Sequence, residues 1–354
     1  MWEERAYRAR RDIAALATQG LGVSDLHTAA IDVINARVCT DLACWATIDP
    51  ETLVISIMTG ARIAPEYERS LGEAEYSANE PHTFATLAVR KQSMAKLSDV
   101  PDRDRKRSTR FNNVWRPLGI DQELRVLFFS DGACWGAAGM VRSGLDFTER
   151  ETDFLAAVAP VIASATRLAV RSEAGGLMLG GHPAIVVLGP GGELRAVTPA
   201  AHEWQERFDQ IAPGRFMVMM QVMATGARGA TSGGFSARLR DASGQWAILD
   251  ASPLIGADED QVAVTIEPAS GDQLMSLLLA AYGLTARERD ICREVIAGHP
   301  TADIAARLFI SANTVQDHLK SIFGKVGVRS RGELVARLRP DGSGQLERTA
   351  QPLM

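Results

Sequence analysis

The chain has 354 residues, room for two to four domains of ordinary size, and its 46% apolar and 23% charged content suits a globular protein. Its net charge of −5 argues against a nucleic-acid binder taken whole, but residues 281–340 carry ten Lys/Arg against six Asp/Glu, a net +4 that leaves −9 on the remainder. A basic end on an acidic body fits a DNA module joined to a domain with another task.

In chain order, residues 2–19 predict a helix, with Ile13, Leu16 and Ala17 apolar among Arg and Glu. A second helix is expected from Ser24, as N-cap, to Val38, with Leu26, Ala30, Ile31 and Ile34 on one face. DLACWATIDPETLVISIMTG alternates around Asp49-Pro50-Glu51-Thr52 and predicts a β-hairpin. Residues 61–92 read as helical, and SMAKLSD as a short strand and loop. DRDRKRSTR, Asp102 to Arg110, holds five cations and two carboxylates. It reads as a solvated loop with internal ion pairs, or, less simply, as a site for an anion or DNA. DQELRVLFFSDGACWGAAGMVRS predicts two strands joined at Ser130-Asp131-Gly132. Thr148 and Glu151 form a capping box opening a helix to about Glu173, with Phe154, Leu155, Val158, Ile162 and Leu168 apolar.

This order of elements, and above all CWGAAGM followed by DFTERETDFLAAVAPVIA, resembles a GAF-type sensor domain over about residues 25–172, behind an N-terminal helix at 1–24. The resemblance implies a pocket between sheet and helices that takes a small-molecule effector or stays empty. Cys44, Trp45, Trp115, Cys134 and Trp135 are its candidate lining, although aromatic and Cys side chains are as often plain core.

SEAGGLMLGG is Gly-rich and reads as a linker, placed at 173–181. PAIVVLGPGGELRAVTPAAHEWQER predicts strand, turn at 189–192, strand and helix; no Gly-Lys-Ser/Thr follows, so the glycines are not a phosphate loop. Three further strands are expected, with turns at Ala242-Ser243-Gly244 and Gly256-Ala257-Asp258. The topology resembles a PAS-like module over 182–268. QLMSLLLAAYG predicts a connector helix, 269–283, and PDGSGQLERTAQPLM reads as a flexible tail, 341–354.

Residues 284–340 predict four short helices. Thr285 to Glu288 is a capping box, Gly298 suits a helix C-terminus, Thr301 and Ser311 read as N-caps, and Ser330 to Glu333 is a second box. The third of these helices buries Val315, Leu319, Ile322 and Phe323 and turns Asn313, Gln316, Asp317 and Lys320 outward. Amides bond adenine edges and Lys reaches guanine or phosphate, so this polar row suits a major groove.

LTARERD, Ile304-Ala305 with Leu308, Ser311-x-x-Thr314-Val315-x-x-His318-Leu319, Ile322-Phe323-x-Lys325 and Gly327-Val328-x-Ser330-Arg331-x-Glu333-Leu334 together resemble the LuxR-type helix-turn-helix of bacterial transcriptional regulators. That resemblance implies base contacts from Gln316, Asp317 and Lys320. It places phosphate contacts near Thr301, Thr314 and Lys325, with Ser311, Asn313 and His318 in the same interface. Gln316 stands where the family often carries a basic residue, and Asp317 beside it repels phosphate unless it meets a cytosine amine. The partners implied are double-stranded DNA, a second copy of the chain as homodimer and a small-molecule effector.

No dinucleotide fingerprint, HExxH or GxSxG is present, and the six His have no metal-ligand spacing, so no catalytic residue, metal or cofactor is expected and the chain is not read as an enzyme. No run of eighteen apolar residues suggests a membrane span, and the N-terminus has no signal-peptide core. Four Cys without CxxC spacing fit a reducing cytoplasm. The fold class expected is α+β and multidomain: GAF-like and PAS-like antiparallel-sheet domains, then an all-α LuxR-type helix-turn-helix. The alternative is a signalling scaffold or ligand sensor whose helical end binds protein.

Overall fold

The computed structural model describes residues 2–60, 63–77, 79–173, 184–230, 233–255 and 260–338. They fall into two compact units, one running to Ala269 and one beginning at Ser270. The first holds two five-stranded sheets, antiparallel throughout. The second is helical. Of the expected linker 173–181 only Glu173 is described, as the last residue of a helix; its remainder, the turn at 256–258 and the tail 341–354 lie outside the described residues.

Helices α1 (Trp2–Leu16) and α2 (Val23–Asn35) precede strands β1 (Leu42–Ile48) and β2 (Ile55–Gly60). Then come α3 (Pro65–Glu75), α4 (Phe84–Val89), β3 (Met94–Lys96), α5 (Asp102–Arg105), β4 (Gln122–Ser130), β5 (Ala133–Arg142) and α6 (Glu149–Glu173), with sheet order β2-β1-β5-β4-β3. The turns follow from local chemistry. Asp49 accepts the backbone N–H groups of Glu51 at 2.9 Å and Thr52 at 3.1 Å, and Asp131-Gly132 take the paired positive φ values that join β4 to β5. The Thr148–Glu151 capping box opens α6 as expected, and its inward stripe packs with α1 and α2 on Trp45, Phe128 and Met140. By length and composition α6 alone among the described helices could cross a membrane; here its apolar stripe is core.

Four local expectations differ. Ser24 does not cap α2; the helix starts one residue earlier, and the Glu173 carboxylate from the end of α6 takes the Val23 N–H at 2.9 Å. Residues 61–92 do not form one helix: Pro81 disfavours helix at the residue before it and Thr83 caps a new one, so α3 and α4 are separate. The basic stretch is not a plain solvated loop. It contains α5 and runs into a π-turn at Phe111–Trp115, and its Arg110 is buried. Leu168 is 38% exposed on the outer face of α6.

The second sheet runs β7-β6-β10-β9-β8, from β6 (Ala184–Leu188), β7 (Leu194–Val197), β8 (Phe235–Arg240), β9 (Trp246–Pro253) and β10 (Val262–Pro268). Helix α7 (Pro199–Asp209) is as expected. Helix α8 (Arg215–Gly229) was not foreseen: its Met-rich, nearly unbroken apolar run has no clear helical period, because it is buried on almost every side. Gly226 normally costs a helix about 1 kcal/mol against Ala. Here a Cβ would lie 2.5 Å from the Phe235 ring. Gly226→Ala is therefore expected to lower stability by about 1–3 kcal/mol despite the better propensity. All six Trp lie in this unit, so urea unfolding followed by tryptophan emission reads the effect directly.

The two sheets share contacts. Val54 sits in the second sheet's core, the rings of Tyr76 and Phe235 stand 5.8 Å apart, and Arg238 on β8 binds Asp49 Oδ1 at 2.7 Å and Glu51 Oε2 at 3.0 Å. The helical unit consists of α9 (Gly271–Ala281), α10 (Ala286–Ile296), α11 (Thr301–Arg307), α12 (Ala312–Val326) and α13 (Arg331–Leu338). The expected connector is more than a spacer: Met275 and Leu279 of α9 enter the same core as Ile291, Val315, Ile322 and Leu334.

Candidate nucleic-acid interface

Side-chain caps open α10 and α12. The Thr285 hydroxyl accepts the Glu288 N–H at 3.3 Å while the Glu288 carboxylate accepts the Thr285 N–H at 2.7 Å, opening α10. The Ser311 hydroxyl accepts the Thr314 N–H at 3.0 Å and opens α12, which ends at Gly327 with φ 74°. At α13 the box is shifted: Ser330 accepts from Glu333, whose carboxylate reaches back to the Arg329 N–H at 2.8 Å. Thr301 is not a cap but the first residue of α11, after Pro300, and its hydroxyl accepts a 3.4 Å bond from Gln316 Nε2. That contact ties the start of α11 to the outer face of α12.

Helix α12 has two faces. Val315, Leu319, Ile322 and Val326 are buried. Ser311, Asn313, Gln316, Asp317 and Lys320 are exposed, and Thr301, Thr314 and His318 are half-buried at the rim. Lys320 Nζ lies 3.3 Å from Asp317 Oδ1. Both side chains are exposed, so the pair is weak and breaks at little cost when Lys320 meets a phosphate or base.

Lys325 is held differently. Its ammonium lies 2.7 Å from Glu288 Oε2, and Ser321 donates to the other carboxylate oxygen at 2.6 Å. Burial alone would raise the Glu288 carboxyl. The bonds from Lys325, Ser321 and Thr285 outweigh it and hold the group down at about 2. Lys325 therefore serves the packing of α12 on α10 as well as presenting charge at the surface.

The turn between α11 and α12 falls at Phe309-Ile310, where the sequence suggests it, but its geometry was not foreseen. Phe309 is 93% exposed at φ 55°, and Arg287 donates to the Leu308 carbonyl just before it. An aromatic side chain held in the left-handed region by a tied turn was not signalled by any spacing in the sequence.

The five residues expected to line an effector pocket separate. Cys44 and Trp115 face a cavity of about 320 Å³ above β1, β2 and β5. Trp45 lies on the other side of that sheet, against His27 and Phe128, where burial pushes His27 down to about 4. Cys134 packs with Ile48, Phe84 and Leu127, and Trp135 is fully buried. Among the described residues, no group of three His, Cys, Asp or Glu is placed to hold a metal ion.

With this geometry in view, the profile for bacterial regulatory proteins of the luxR family matches residues 283–338. A Mycobacterium tuberculosis protein named as an HTH-type transcriptional regulator is 47% identical over 60 residues, 17% of this chain but only 7% of that protein. The spore germination protein GerE of Bacillus subtilis is 38% identical over 55 residues, 16% of this chain and 74% of GerE. Among solved structures, VqmA of Vibrio cholera, in a complex with ligand and DNA, is 16% identical with a TM-score of 0.23, over 44% of this chain and 80% of that one. At that score the likeness carries nothing about fold. The C-terminal bundle is a LuxR-type helix-turn-helix, and through it the chain belongs to the luxR family of bacterial regulatory proteins.

Proposed function

We propose that the chain is a cytoplasmic, DNA-binding transcriptional regulator that reads double-stranded DNA through α12. The observation that carries this reading is the exposed row Asn313, Gln316, Asp317 and Lys320 on a helix whose other face is fully packed, inside the family-matched bundle. Gln316 and Asn313 supply amides for base edges, and Lys320 supplies charge. Asp317 suits a cytosine amine. Ser311, Thr314, Thr301, His318 and Lys325 border the row and serve the phosphate backbone. A homodimer sets two such helices about 34–36 Å apart, one turn of the duplex. The first sheet and its helices serve as a GAF-like sensor, residues 25–172, and the second as a PAS-like module, residues 182–268. Together they govern the DNA-binding heads through an effector or through pairing, with no cofactor or catalytic step.

The test is binding of variants to a selected site. Lys320→Ala is expected to weaken binding to all sequences and to lower the salt slope by about 1. Gln316→Ala is expected to redistribute preference at one base position by about 1–3 kcal/mol while nonspecific binding stays level. Identical ranking of site variants by wild type and Gln316→Ala, in competition binding, removes Gln316 from base readout.

A further inference from the structure

The cavity over the first sheet has an unexpected wall. Its floor is Cys44 and Ala46 on β1 and Gly139 on β5, but the opposite side is Val218, Met219 and Val222 of α8, which belongs to the second sheet. Helices α3 and α8 are in close approach here: a Cβ on Gly72 would lie 3.1 Å from Val222 Cγ2. The volume is at the small end of ordinary ligand sites, and most of the lining is aliphatic.

The charges at one end leave little to attract an ion. Arg110 Nε binds Glu123 at 3.0 Å and its Nη1 lies 3.3 Å from Glu80, while Arg125 Nη2 binds Glu75 at 2.6 Å and its Nε lies 3.4 Å from Glu123. Two guanidinium groups thus meet three carboxylates, all buried, and the lining adds one further charge of each sign, Glu68 and Arg215, so the set carries one negative charge in excess and does not favour an anion. Burial raises the Cys44 thiol to about 12, so it stays neutral.

We infer that this cavity binds a small, uncharged, largely apolar molecule, and that the bound molecule bridges the first sheet to α8. The effector role rests on the regulator reading above; the binding does not. Because the walls come from both modules, occupancy adds contacts across the α3–α8 approach and stiffens the joint between the sheets.

The probe is N-phenyl-1-naphthylamine, neutral and apolar with one N–H donor, titrated by fluorescence into the full chain beside its anionic relative 8-anilino-1-naphthalenesulfonate. The expected result is saturable binding of the neutral probe, at least roughly tenfold tighter than the sulfonate. Gly139→Val places methyl groups in the cavity and is expected to weaken it roughly tenfold or more. Hydrogen exchange should slow in peptides of both α3 and α8 when the probe binds. Equal or tighter sulfonate binding overturns the neutral class. Binding untouched by Gly139→Val, or no saturable binding, overturns the site. Slowing confined to α3 overturns the bridge. DNA binding measured on the same samples separates the two readings: intact DNA binding without probe binding sinks this inference alone, and the reverse sinks the regulator reading alone.

Discussion

Glu288→Gln is expected to destabilise the helical unit by about 3 kcal/mol at pH 7. The carboxyl sits at about 2 in the folded chain against an ordinary 4.5, and each unit of difference corresponds to about 1.4 kcal/mol. Because the folded value is depressed, the stabilisation is fully present above about pH 4.5 and fades as pH falls toward 2. The gap between wild type and variant should therefore close across that window. The cause is local: Glu288 is 4% exposed and takes bonds from Lys325, Ser321 and the Thr285 backbone, joining the start of α10 to the far end of α12. Tryptophan emission is blind to this unit, which has no Trp, so hydrogen exchange in α10 and α12 peptides is the measurement. A change below about 1 kcal/mol at pH 7 would mean that the carboxylate is replaceable and the bundle is held by its apolar core alone.

Arg238→Met is expected to cost the sheet unit about 3–5 kcal/mol, because it leaves Asp49 buried without its cation. Asp49 is 3% exposed, and its carboxylate takes Arg238 and the backbone N–H groups of Glu51 and Thr52 in its own turn. Adding Asp49→Asn to Arg238→Met should recover much of the loss, since the penalty comes from a stranded charge rather than from the missing bond. Urea midpoints from tryptophan emission measure Arg238→Met, Asp49→Asn and the double variant. Additive losses in the double variant would show that the two residues act separately and that the sheets are joined by Val54, Tyr76 and the α3–α8 contact without this pair.

The helical end was the most legible part of the chain, for a physical reason. Its helices are short and depend on caps, so Thr285, Glu288 and Ser311 are written into the sequence as hydroxyls and carboxylates at fixed offsets. The α12 stripe was equally plain, since one face is solvated and the 3.6-residue period survives. Where both faces are buried, that period is lost, and α8 escaped notice in consequence. Long-range partners were invisible as well. Nothing local to Ser24 says that Glu173 will close the start of α2, and nothing in DRDRKRSTR distinguishes Arg110 from its solvated neighbours. The pocket residues illustrate the same limit. Adjacent strand positions point to opposite faces, so Cys44 and Trp45 could not both line one cavity, and the helices that choose between the faces come from distant segments.

Contact between α12 and DNA is the central claim. The direct measurement is fluorescence anisotropy of the full chain on fragments of its gene's own upstream DNA, over a salt series, with random DNA of equal length as reference. Binding of one fragment well above the reference, weakening steeply as salt rises, is the predicted result. Binding no tighter than to random DNA at every salt concentration would contradict it and would leave the helical end as a surface for another protein.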